Sequence, residues 1–123
     1  ATAKMAKAKL TKLTLPGGET ARKRLLAAVP RRIAFFREVD AFPELFEDAE
    51  VLRHAIRRYE NCWLPLAAAQ EGLAPPLDVD WVWYVHQLCP VKYDAEVGAA
   101  GGPHRAEFET DAELEAARSR TKA

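Results

Sequence analysis

Four residues combine types that ligate metals or pair a nucleophile with a base: Cys62, His86, Cys89 and His104. His86 and Cys89 stand three apart, which suits two ligands of one metal on a helix. Cys62 and His104 would complete a tetrahedral zinc site. The competing reading has Cys62 and Cys89 as buried thiols, His86 as a hydrogen-bonded core residue and His104 as an exposed one. No Cys-x-x-Cys or His-x-x-x-His pair is present, which favours the second reading. A thiolate–imidazole pair from Cys89 and His86 is disfavoured too, because Trp and Val neighbours raise a thiol pKa rather than lower it. No glycine-rich phosphate loop, serine elbow or acid–base pair stands out. The chain therefore reads as a non-enzyme with no cofactor.

The element that must position His86 and Cys89 runs from Pro75 to Tyr93 and holds two of the three tryptophans. Its Val79, Trp81, Trp83 and Val85 alternate as a strand would, but Val82 and Tyr84 spoil the polar half of that pattern. Asp78 suits an N-cap, Asp80 the first helical turn, and Pro90 a stop, so a helix is expected. Val82, Val85, Leu88 and Cys89 would line one side, with Trp83 and His86 together on a flank. So apolar a helix should be mostly buried. Its indole N–H groups need partners, for which Asp78, Asp80 and loop carbonyls are candidates.

Its packing partner is legible upstream. Val51, Leu52, Ala55, Ile56, Tyr59, Cys62, Trp63 and Leu66 form one apolar face at helical period, with Asp48 placed to cap it. Pro65 should kink or end this helix near residues 61–64, and Gly72 closes its continuation. Before it, Thr20 suits an N-cap, Pro30 breaks or restarts a helix, and Phe42 to Phe46 reads as a turn with aromatic plugs. After Pro90 comes a short turn or helix through Tyr93 and Val97. Thr110 to Glu113 is a capping box, so residues 111–120 should form a helix, weakly docked because it has only Leu114 and alanines to bury. The fold class is all-α: a small irregular bundle of about five helices with a basic N-terminal arm. The divisions are an arm over 1–18, a helical domain over 19–97, and a Gly-rich loop with the last helix over 98–123.

With 123 residues and a formal net charge of zero, the chain still splits sharply by charge. Residues 1–37 carry ten basic side chains against one acid, a net of +9, and the remainder is −9. Lys4, Lys7, Lys9, Lys12, Arg22, Lys23, Arg24, Arg31 and Arg32 could meet phosphates, an acidic protein or an anionic membrane surface. No aromatic residue interrupts this region before Phe35, so base stacking is not indicated. No apolar run approaches the ~20 residues of a membrane span. No secretory signal is visible, and two cysteines in apolar patterns fit an intracellular protein with reduced thiols. A cytoplasmic location is expected. A mitochondrion or plastid is the alternative, since the basic, acid-free start is similar to a targeting segment.

The segment Ala55-Ile56-Arg57-Arg58-Tyr59, then Trp63-Leu64-Pro65-Leu66, then Pro75-Pro76-Leu77-Asp78, Trp81, Trp83, His86, Leu88, Pro90 and Tyr93 resembles a family pattern. The family is that of the glycine-rich domain-containing proteins, best known from plants, and the likeness is to their N-terminal conserved region. It covers about residues 25–97. Tyr84 stands where the family pattern has the first histidine of Trp-His-x-His, which removes one candidate ligand. The glycine-rich tract is missing. The resemblance implies an identity for the helical region and, from roles attributed to plant members, an RNA link.

Three functions stay in view. The leading one is a non-catalytic structural or adaptor module, a subunit of a larger assembly, docking through the basic N-terminal region onto a protein partner with an acidic surface. The alternatives are a metal-binding domain using His86, Cys89 and His104, and an RNA-binding protein with nucleic acid as partner.

Overall fold

Periodicity and punctuation dictate helices throughout, and the computed structural model, which describes residues 15–98 and 110–122, contains only helices and their connections there. They are α1 (Gly18–Asp40), α2 (Glu44–Glu47), α3 (Ala49–Arg58), a wide π turn (Tyr59–Trp63), α4 (Leu64–Ala69), α5 (Leu77–Gln87), α6 (Pro90–Val97) and α7 (Asp111–Lys122). No described helix is long and apolar enough to cross a membrane. The protein is a small all-α bundle. It divides into two compact units, residues 1–33 and 34–123.

In the first unit the helix begins earlier than Thr20. Gly17 and Gly18 both take positive φ, 97° and 61°, and the Gly18 N–H closes the turn onto the Leu15 carbonyl at 2.9 Å. Pro30 lies within α1 rather than ending it. A proline there withdraws the donor owed to the Leu26 carbonyl. Leu26 and Pro30 are both exposed, so water can serve that carbonyl instead.

The second unit has two cores. Phe35, Val39 and Leu45 form the smaller one, with Val51, Leu77, Trp81 and Tyr84 against it. Leu45, not the aromatics beside it, is the plug of the Phe42–Phe46 turn; Phe42 and Phe46 are exposed. Tyr59, Trp63, Leu73, Val79, Trp83 and Tyr93 form the larger core.

Asp48 caps α3 as its position predicts, accepting from the Glu50 and Val51 N–H groups. Past Arg58 the helix widens, and the Leu64 N–H reaches back five residues to the Tyr59 carbonyl. Pro65 explains the place: it cannot donate to Asn61, and its ring crowds that carbonyl, so the preceding turn opens. Tyr59 and Trp63, four positions apart, share one face and are both buried, while the wider turn rotates Cys62 out to solvent. The expectation of a buried Cys62 thus fails for a definite reason, and Cys89, at the exposed corner between α5 and α6, is not buried either.

The Pro75–Tyr93 stretch forms the expected helix and turns at Pro90, but its buried side differs. Val79, Asp80 and Trp83 are buried, whereas Val85 and Leu88, expected to line the core, are exposed. The flank carrying Trp83 faces α3 and the π turn, because the indole has more area to bury than the valines do. Asp78 is not the N-cap. That position is Pro76, and Asp78 sits inside the first turn.

Thr110 caps α7, accepting from the Glu113 N–H at 3.2 Å. This helix is tied down more firmly than its alanine-rich face suggests. Ala117 is fully buried. The Thr121 hydroxyl accepts from the Ala74 N–H at 3.1 Å and lies 2.7 Å from the Ala74 carbonyl. Arg120 donates to the Gly72 carbonyl at 2.8 Å.

Candidate functional site

Three elements bring His86 into a hydrogen-bonded row. The π turn presents Tyr59, α5 presents His86 and α6 presents Glu96. Tyr59 Oη lies 2.7 Å from His86 Nδ1, and His86 Nε2 lies 2.9 Å from Glu96 Oε2. An ionised carboxylate only accepts, so Nε2 carries the proton, and in the neutral ring Nδ1 accepts from the Tyr59 hydroxyl. Burial, then the nearby Tyr93, Glu96 and Glu60, pushes the Tyr59 hydroxyl far above its ordinary pKa, so it remains a donor.

Tyr93 closes the row from the side. Its ring meets His86 edge-on with centroids 4.9 Å apart, and its hydroxyl accepts from the Trp83 indole N–H at 3.0 Å. The predicted flank of Trp83 and His86 is real, and Tyr93 holds both. Trp63 in turn meets Trp83 edge-on at 5.3 Å. Its own indole N–H is buried without a hydrogen-bond partner. Asp78, one of the carboxylates expected to serve these indoles, acts elsewhere. Asp78 pairs with Arg58 and accepts from the Val79 N–H at 2.9 Å, joining α3 to the start of α5.

Both imidazole nitrogens of His86 are therefore engaged, which commits the ring to holding three helices together. Cys62 and Cys89 are exposed, and His104 lies outside the described residues. Among the described residues no group of three or more His, Cys, Asp or Glu is placed to hold a metal ion. Sequence reasoning missed Glu96. It is ten residues from His86 with a proline turn between, a separation that carries no local signal.

Of the basic residues, Arg22, Lys23 and Arg24 are exposed on α1, with Arg22 pairing to Glu19 at 3.3 Å. Arg31 and Arg32 are half-buried and engaged in contacts. Lys4, Lys7, Lys9 and Lys12 lie outside the described residues.

Fold and site together define a small helical module organised by an aromatic, hydrogen-bonded centre. The residues that build it, Arg58, Tyr59, Trp63, Asp78, Trp83, His86 and Tyr93, are those of the motif quoted above. The sequence pattern of the family described as glycine-rich domain-containing protein-like matches residues 2–96, and the chain belongs to that family. It is similar to glycine-rich domain-containing proteins 1 and 2 of Arabidopsis thaliana, each 41% identical over the aligned part. Each alignment covers 58% of this chain and 10% of the relative, so the chain spans about a tenth of the length of these curated relatives. No solved structure matches it.

Proposed function

We propose that this helical domain is a non-catalytic docking module of a larger assembly, and that its basic N-terminal region is the contact to an acidic surface. The observation that carries this reading is the exposure of Arg22, Lys23 and Arg24 on a helix within a segment of net charge +9. Clustered cations of one sign steer and hold acidic partners. The engagement of both His86 nitrogens supports a framework role for the motif residues, leaving recognition to the helix surface.

The test compares the full chain with the triple variant Arg22→Glu, Lys23→Glu, Arg24→Glu on immobilised polyglutamate. The parent chain should be retained at low salt and released as salt rises, and the variant should pass through. Equal retention of the two would overturn the reading.

A further inference from the structure

Four aliphatic side chains on α1 lie open to solvent: Leu25 (54% exposed), Leu26 (75%), Val29 (56%) and Ile33 (44%). At 3.6 residues per turn they fall within about 100° of arc, one continuous row along the helix. Leu26, Val29 and Ile33 repeat at i, i+3 and i+7. Arg22 extends the row by a turn toward the N-terminus and Lys23 flanks it, both exposed. The chain before α1 adds Lys4, Lys7, Lys9 and Lys12 and no acid. A surface that satisfies this helix must offer negative charge and an apolar phase together. Polyanions such as nucleic acid supply the first without the second, and no aromatic residue in 18–33 is available to stack on bases.

We propose that this face of α1 lies along an anionic lipid surface, with Leu25, Leu26, Val29 and Ile33 dipping below the headgroups. This rests on the docking reading above and names the class of its acidic surface. Arg22 at the end of the row and Lys23 on its flank are placed where a long basic side chain extends its charge toward lipid phosphates while its stem stays in the apolar layer. Lysines of the preceding segment add attraction to the leaflet. The helix lies on the membrane rather than through it, since its 23 residues include too many charges and too little apolar surface to cross.

The full chain should sediment with vesicles of phosphatidylcholine and phosphatidylserine, and much less with phosphatidylcholine alone. Leu26→Glu with Val29→Glu should lower partitioning by at least about ten-fold, because two apolar anchors are lost and two repelling charges gained. Leu26→Ser serves as a milder variant, and circular dichroism checks that helix content is kept in both. Absence of binding to phosphatidylserine vesicles, or binding indifferent to these substitutions in a folded chain, overturns the proposal. Retention on polyglutamate without vesicle binding would sink the lipid surface and leave the docking reading standing. Loss of both would sink the two together.

Discussion

The Trp83 indole N–H points at the Tyr93 hydroxyl across 3.0 Å, joining α5 to α6 inside the larger core. That bond spans the turn at Pro90, and the same tyrosine ring packs on His86. Two motif residues ten positions apart therefore set the angle at which the last motif helix returns.

Tyr93→Phe should destabilise the domain although the ring remains. It takes away the acceptor facing the Trp83 N–H in a dry environment, a loss of about 1–3 kcal/mol. Denaturant unfolding should show a lower midpoint with an unchanged slope. A midpoint equal to the parent's would mean that this hydrogen bond contributes nothing net.

His86→Leu should cost more than Glu96→Gln. The first leaves the buried Tyr59 hydroxyl without its partner, again about 1–3 kcal/mol. The second weakens one bond to a largely exposed side chain, where a charged contact brings at most about 1 kcal/mol. Thermal melts of the two variants rank them directly, and the reverse order would contradict the row as described.

Stability should fall at alkaline pH. Tyr59 holds its proton more tightly folded than unfolded, so below its ordinary value of 10.0 its contribution is fully present. Above that value the unfolded chain ionises first, and the folded state loses ground as pH rises. Unfolding midpoints taken from about pH 9 to 11 should decline for the parent. The decline should be shallower for Tyr59→Phe. Parallel curves would remove Tyr59 as the cause.

Thr121→Val should loosen α7 without unfolding the rest. The Ala74 N–H loses its acceptor, and the Ala74 carbonyl loses the hydroxyl beside it. Amide exchange should accelerate at Ala74 and along α7 while Tyr59 to Trp63 stays protected. Exchange unchanged at Ala74 would refute the tie.

Local signals in the sequence survived folding well. Asp48 and Thr110 cap the helices they precede, and Pro65 and Pro90 mark real changes of course. Those features act over one turn, so spacing alone reveals them. What escaped depends on distant parts of the chain. Glu96 meets His86 only after α6 folds back, and Arg58 claims Asp78 from twenty positions away. The inward side of α5 is the flank of Val79 and Trp83, not the longest apolar stripe. Cys62 fits the helical period yet faces solvent, because regular spacing presumes a regular helix.

The wide turn at Tyr59–Trp63 also inverts where this domain tolerates changes of length. Loops ordinarily absorb insertions and deletions, and helix interiors resist them because phase is lost. Here the interior already carries a residue beyond the regular period. A chain lacking Asn61 would gain a more regular helix while swinging Trp63 away from Trp83. Its near-ultraviolet tryptophan signal should collapse with helix content kept; an intact signal would contradict this. In this domain the indel-sensitive position is a place where local geometry would improve, so alignments that favour an unbroken helix there would misplace everything up to Pro65.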